Sequence, residues 1–391
     1  MQEERADPIS APVAPDFFIT GECSDLQIKL TGDIINMDKE LVKKLAGLLK
    51  NRKLEKEFRI MEVCGTHTAE FFKTGVKDLF PEGLSLIDGP GCPVCVTPNS
   101  FLDLAITIAK DYDTIITTFG DMIKVPSSYS SLAKEKAEGM DVRIIYSPLD
   151  AVRLAEENPG REVMFLSVGF ETTAPSEAIA IMEADKKGIK NFSILSCNKI
   201  TPPAVEALIN ADEVRIDGFI IPGHVSAIIG RKPWEFISER YGKPGVVSGF
   251  EAYDLITGVL TLLDLLERGE NLIKNEYRTV VKENGNEQAK KIIDSVFDVT
   301  SSVWRGIGEI PESGLSIKEE YSRYDAEKKF PATPPPVKEH AGCRCGDLLR
   351  GVITPPECPL FAKVCTPENA VGPCMVSSEG PCSAYYKYWR K

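Results

Sequence analysis

The sequence predicts an α/β fold: two similar parallel-sheet α/β domains from an internal duplication, followed by a third, loop-rich domain dense in cysteine. Three observations carry this. Short β-rich runs alternate with longer helical patterns from Phe58 to Arg268, the signature of parallel strands covered by helices. The runs form two series that match each other at a nearly constant offset. Past Gly269 the texture changes, and six of the eleven cysteines lie between Cys343 and Cys382.

The first series comprises Phe58 to Val63, Leu84 to Ile87, Thr114 to Phe119 and Val142 to Tyr146. The second comprises Val163 to Val168, Phe192 to Leu195, Gly218 to Ile221 and Gly245 to Val247. Helical patterns lie between them at Ser100 to Lys110, Leu149 to Glu157, Ser176 to Lys187, Pro203 to Asn210 and Tyr253 to Arg268. The duplication is read from matched motifs. Val63-Cys64-Gly65-Thr66-His67-Thr68-Ala69 aligns with Val168-Gly169-Phe170-Glu171-Thr172-Thr173-Ala174, Thr97-Pro98 with Thr201-Pro202, and Gly120 with Gly223. The α/β domains are therefore expected at 58–160 and 161–268.

Residues 1–35 are an extension without clear periodicity, and Cys23 within them has no partner nearby in sequence. From Met37, the spacing of Leu41, Leu45, Leu48 and Leu49 predicts a helix ending in the basic run Lys50 to Lys56. This segment, 36–57, is expected to pack with the third domain, 269–391. In that domain Glu287 to Phe297 reads as a charged helix and Gly306-Ile307-Gly308 as a loop. The tract Pro331-Ala332-Thr333-Pro334-Pro335-Pro336 reads as an extended strap, 331–336, into the cysteine segment.

Composition narrows the function. With 43% hydrophobic and 27% charged residues, the chain is an ordinary globular protein. A formal charge of −12 argues against nucleic acid as a partner, because backbone binding rests on clustered Lys and Arg. No apolar run is long enough for a membrane span, and the N-terminus lacks the apolar stretch of a secretory signal, so a cytoplasmic location is expected. In a reducing compartment eleven cysteines point to metal ligands or redox thiols rather than structural disulfides.

Cys64 follows a strand and leads into a helix through Gly65-Thr66-His67. That is the carboxyl end of a strand in a parallel sheet, where sites collect. The positive end of the helix dipole and a hydrogen bond from His67 would favour its thiolate, whereas a buried free cysteine would be only a small apolar residue. At the next strand end, Asp88-Gly89-Pro90-Gly91-Cys92-Pro93-Val94-Cys95 holds a Cys-x-x-Cys pair in a tightly turned loop. Such a pair exchanges electrons or binds a soft metal; half a zinc site is the plainer reading, but no second pair stands at zinc-ribbon spacing. In the second domain Glu171 and His224 occupy equivalent loops. They would face Cys64 across a cleft if the two strand-end edges oppose each other, the plainer roles being a helix cap around Thr172 or Thr173 and a satisfied histidine.

The final array is Cys343, Cys345, Cys358, Cys365, Cys374 and Cys382, interleaved with Pro355, Pro356, Pro359, Pro367, Pro373 and Pro381. Proline at that density leaves a loop-rich segment with little apolar burial, which bound metal would hold together. A 4Fe-4S cluster takes four thiolates and leaves two; zinc would also accept four. The surplus pair favours redox use. Glu379 lies among these cysteines, a candidate for proton transfer or simply a solvated loop carboxylate.

The motifs at Cys64-Gly65-Thr66-His67, Gly89 to Cys95, Gly169-Phe170-Glu171-Thr172-Thr173 and Pro222-Gly223-His224-Val225, with the Cys343 to Cys382 array, resemble the HypD family of hydrogenase maturation proteins. The similarity runs in order from about Leu41 to Tyr388. The resemblance implies an assembly scaffold with redox activity rather than a conventional turnover enzyme. It would act with HypC on the Fe(CN)2CO unit of nickel-iron hydrogenases, holding iron through Cys64 while HypE, loaded by HypF, delivers cyanide. It also implies one 4Fe-4S cluster on Cys343, Cys358, Cys365 and Cys374, with Cys345 and Cys382 as the redox-active pair beside it. Two other classes compete: a stand-alone iron-sulfur protein-disulfide reductase exchanging through Cys92 and Cys95, and a zinc-stabilised interaction module.

Overall fold

The computed structural model describes residues 39–211 and 213–389. The extension 1–35 with Cys23, and Met37, lie outside the described residues. Residues 39–50 are helical, and the chain divides into two units after Lys44. The larger unit, Leu45–Lys391, carries the strands and the cysteines from Cys64 onward.

Eleven strands are assigned among the described residues: β1 (Phe58–Glu62), β2 (Leu84–Asp88), β3 (Ile115–Thr118), β4 (Val142–Ile144), β5 (Val163–Ser167), β6 (Phe192–Ser196), β7 (Gly218–Pro222), β8 (Gly245–Ser248), β9 (Ile273–Asn275), β10 (Phe297–Trp304) and β11 (Gly308–Ile317). The first eight are the runs read from sequence. Strands such as β5 and β7 are buried along their whole length, which is why they read as continuous apolar runs rather than alternating ones. Helices cover them at Asn99–Tyr112, Pro148–Glu157, Ala174–Lys187, Thr201–Ala211 and Ala252–Arg268. Each begins within two residues of its expected start.

The sheets, however, do not follow the expected division at residue 160. One parallel sheet has the order β2-β1-β7-β8-β9 and the other β4-β3-β5-β6. Each therefore takes two strands from each series. The connection through Asn99–Tyr112 carries the chain from the first sheet to the second, and the one through Thr201–Ala211 carries it back. Written as β6-β5-β3-β4, the second sheet becomes the first when the two series are exchanged. The duplication thus survives as two equivalent sheets whose halves have swapped partners.

The segment after Gly269 also divides. Residues 297–304 and 308–317 form an antiparallel hairpin, where the sequence suggested only a loop. The left-handed Gly306 and Gly308 (φ 75° and 110°) turn it. Lys199 and Gly314 form a β-bridge, and Phe297, Leu315, Ile317 and Tyr324 join the apolar core beneath β5 and β6. The cysteine segment instead joins the core of the first sheet, where Cys345, Cys374 and Leu349 share one cluster with Met61, Ile87 and Cys95. Between them the proline strap is extended and pinned from outside: Tyr112 and Tyr129 donate hydroxyl bonds to Pro331 and Pro336 carbonyls, each at 2.7 Å. Arg52 pairs with Asp264 at 2.6 Å, on the helix Ala252–Arg268, which ties the segment after residue 45 to that helix.

Candidate functional site

β1 stops at Glu62, and the helix Gly65–Lys73 starts three residues later with Cys64 as its N-cap in extended geometry. Two glycines permit this close turn. Gly91 accepts the Gly65 N–H at 2.8 Å, and a side chain at 91 would fall 2.2 Å from the Cys64 nitrogen. A side chain at Gly65 would meet Glu379 Cβ at 2.6 Å and Cys92 Cβ at 3.2 Å. Those contacts define the site: Cys64, the Cys92 loop and Glu379 close over one strand end.

Glu379 accepts the Thr66 hydroxyl at 2.7 Å, and burial raises its pKa. It belongs beside Cys64 rather than among the array, so a carboxyl group able to carry a proton stands next to the thiol. Cys92 caps the short turn Pro93–Val96, its sulfur accepting the Cys95 N–H at 3.2 Å. Cys95 itself is fully buried.

One feature went unread in the sequence. Glu62 is fully buried, accepts the Cys64 N–H at 2.8 Å and accepts the Thr68 hydroxyl with its other oxygen. Its register neighbour on β2 is Asp88, also buried. Burial, then the neighbouring Asp88, push Glu62 well above the usual carboxylate range. The ammonium of Lys77, hydrogen-bonded to the Tyr385 hydroxyl at 2.6 Å, moderates both. An acidic residue ending a strand one position before the Val63-Cys64 turn was the available signal.

His67 does not serve the Cys64 thiol. Its ring is buried, donates from Nε2 to the Gly249 carbonyl at 2.9 Å and stacks on Phe250. Burial lowers its pKa to about 4, so it is neutral at physiological pH. His224 stacks on the same Phe250, at 3.8 Å between centroids, in a packing role. Glu171 is committed as well: it accepts the Thr201 N–H and hydroxyl, both at 2.8 Å, at the start of the helix Thr201–Ala211. These bonds tie Glu171 to the second sheet, away from Cys64. Nor does the helix dipole prevail at Cys64. Burial pushes this thiol up to about 12, although the backbone N–H groups of His67 and Thr66 face the sulfur. Binding a metal there requires loss of a proton that the free thiol holds.

In the C-terminal array the thiols join two neighbourhoods. Cys374 is fully buried beside both Cys345 and Cys95, whose nearness lowers its pKa. Cys345, Cys374, Cys95 and Cys92 thus form a continuous thiol chain leading to the Cys64 loop. The family resemblance pairs Cys345 with Cys382. Spacing could not reveal that the turn Pro373–Val376 would place Cys374 between Cys345 and Cys95 instead.

The remaining thiols are Cys343, Cys358, Cys365 and Cys382; Cys343 and Cys358 each act electrostatically on Cys365 and Cys382, and Cys345 acts on Cys382 as well. Among the described residues no three His, Cys, Asp or Glu side chains stand at the spacing of one bound ion, so the fit of a cluster rests on the donor set and its cradle. Cys343, Cys345 and Cys365 border a loop in which Val371 donates its N–H to Cys365 Sγ at 3.3 Å. A side chain at Gly372 would meet Cys343 Sγ at 2.7 Å and Cys345 Sγ at 2.6 Å. Soft donors, backbone N–H bonds to sulfur and a glycine keeping the space clear suit an iron-sulfur cluster.

A family model described as "HypD: Hydrogenase formation hypA family" matches residues 36–389. The chain belongs to the HypD family. It is 44% identical over 362 residues to the hydrogenase maturation factor HypD of Cupriavidus necator, covering 90% of this chain and 96% of that one. The HypD factor of Rhodobacter capsulatus is 48% identical over 340 residues, covering 85% and 90%. That of Escherichia coli K12 is 44% identical over 336 residues, with the same coverage. Membership of the HypD family sets the chain's broad role in hydrogenase formation. No helix among the described residues is long and apolar enough to cross a membrane.

Proposed function

We propose that this chain is an assembly scaffold with redox activity that works with HypC on the Fe(CN)2CO unit of nickel-iron hydrogenases. Iron is its cargo, held by Cys64 while HypE delivers cyanide. The observation that carries this reading is the convergence of Cys64, Cys92, Thr66 and Glu379 on one strand end. A soft thiolate suits low-valent iron with cyanide and carbon monoxide ligands. Glu62 and Gly91 fix the Cys64 backbone, and Glu379 is placed to take up the proton that Cys64 must lose.

The thiol chain supports a route for reducing equivalents. In this reading Cys343, Cys358, Cys365 and Cys382 hold a 4Fe-4S cluster, and Cys345 and Cys374 are the exchanging pair. The cluster, when bound, supplies single electrons to reduce that pair. Cys374 then attacks a Cys92–Cys95 disulfide at Cys95, and Cys345 resolves the mixed disulfide, leaving Cys92 and Cys95 as thiols. Contact of Cys374 with both partners is what this exchange needs.

Anaerobic co-purification with HypC, followed by infrared spectroscopy, tests the scaffold reading. Cys64→Ala should lose the bands of iron-bound cyanide; undiminished bands would sink the assignment. The same thiol chain also suits a stand-alone iron-sulfur disulfide reductase, and turnover of a protein disulfide by the isolated chain would favour that alternative.

A further inference from the structure

The tip of the β10–β11 hairpin sits between the two groups of cysteines. Arg305 donates its backbone N–H to Val96, the end of the Cys92–Cys95 turn, at 2.8 Å. Its neighbour Gly306 lies against Gly346, the residue after Cys345, so closely that a side chain at 306 would fall 2.1 Å from the Gly346 Cα. The arginine side chain is therefore held at the junction and is only 6% exposed.

A guanidinium is always charged, and burying it without a partner costs several kcal/mol on the order-of-magnitude scale for buried ions. Yet among the described residues its one carboxylate contact is weak. Glu339 Oε1 lies 3.6 Å from Nε and is more than half exposed, and Nη1 is buried with no hydrogen-bond partner. Lys134 and Lys338 line the same cleft, of about 280 Å³, and add positive charge rather than relieve it. What Arg305 does have nearby is sulfur. Val371, which shares the cleft, donates to Cys365 Sγ, and the guanidinium acts electrostatically on Cys343.

We infer that Arg305 is the buried counter-charge of the iron-sulfur cluster and raises its reduction potential. The inference rests on the cluster reading above. A cluster held by four thiolates is an anion, and reduction adds a further negative charge. A fixed positive charge in a poorly screened site stabilises the reduced form more than the oxidised one. The unpartnered Nη1 and the cleft of cations then have their missing anion. Because the hairpin also touches the Cys92–Cys95 turn, the charge sits where electrons leave the cluster for the thiol chain.

The test uses the complete chain, purified anaerobically, with iron and sulfide counted first and the cluster then titrated potentiometrically by its visible absorption and electron paramagnetic resonance. Arg305→Met should shift the midpoint to more negative potential. Arg305→Lys should stay close to wild type, and Glu339→Gln should shift it the other way by less. A cluster-bearing Arg305→Met variant with an unchanged midpoint overturns the inference alone. If that variant holds no cluster, Glu339→Gln decides: a positive shift supports the counter-charge and no shift overturns it. A wild-type chain without iron and sulfide removes the cluster reading itself, and this inference with it.

Discussion

The strand ends after β1 and β5 are the same place in two copies of one design, and only the first carries a thiol. Where the first has Cys64, the second has Gly169; where the first has Thr66 reaching Glu379, the second has Glu171 closing on Thr201. Both loops are buried and both are closed by a carboxylate. The difference is what the carboxylate faces. Glu379 arrives from the cysteine segment and leaves a thiol beside it, whereas Glu171 is consumed by a helix start. A parallel-sheet edge offers a position, and side chains brought from elsewhere in the chain turn it into a site.

The sharpest way to break that contrast is paired deletion. Cys64→Ala should abolish the cyanide bands of the HypC complex without loss of fold, since removing one thiol from a half-apolar turn is a small packing change. Glu171→Ala should do the reverse: bands retained per folded molecule, stability lowered by about 1–3 kcal/mol because the buried Thr201 N–H and hydroxyl lose their acceptor. Loss of bands in both variants, at equal folded protein, would erase the distinction.

Next in size is close packing. Gly91→Ala sets a methyl group against the Cys64 backbone, which cannot move aside, and should cost about 3 kcal/mol or more in urea unfolding. Gly169→Ala meets the Thr173 hydroxyl, which can rotate away, and the Thr173 Cβ at 2.8 Å, but no backbone atom among its nearest contacts, and should cost less. Equal costs would mean that the two turns are held alike.

A pH series, read as the difference between wild type and Glu171→Gln, probes the second copy, because the raised carboxyls of Glu62, Asp88 and Glu379 in the first are common to both. Burial pushes Glu171 and Glu177 each up to about 7. In the folded protein they therefore hold protons that the unfolded chain releases above its ordinary carboxylate range near 4.5. Stability contributed by their protonation is full at low pH and is lost as pH rises from there to about 7, by at most about 1.4 kcal/mol per pH unit for each group. Glu171→Gln should flatten half of that slope. The smallest effect is Thr66→Val, which removes one hydroxyl from Glu379 and should cost about 1 kcal/mol while shifting the cyanide bands rather than removing them.

Much of this architecture was legible because its signals are local. Burial on both faces made the strands of the two series into apolar runs, and the Thr-Pro and glycine motifs marked where helices begin. Partner choice between strands is not local. Nothing in Leu84 to Ile87 says that β1 and β2 will wait for β7, so the exchange between sheets stayed hidden. The hairpin Phe297–Ile317 was missed because its residues Thr300 to Ser302 are polar and bulged, which breaks the alternation. At the site, Cys64, Cys92 and Cys95 announced themselves through their loops. The depth of Cys64 and the engagements of His67, His224 and Glu171 did not, since burial and hydrogen-bond partners come from distant segments. The same limit applied to the array, where six spacings are compatible with many pairings and only the fold sets Cys374 between Cys345 and Cys95.

The exchange of halves between the sheets has a consequence for biosynthesis. β1 and β2 leave the ribosome well before β7, which completes the middle of their sheet; at ordinary rates of synthesis the delay is roughly ten to thirty seconds. During it the nascent chain carries an unpaired apolar edge on β1, and the second sheet closes first because β3 to β6 are contiguous. The sheet that carries the Gly169 turn is thus completed first, and the sheet that bears Cys64 is finished only on a template already folded. A chain stalled before Gly218 should accordingly engage holdase chaperones through β1, while its second sheet is already protected from protease.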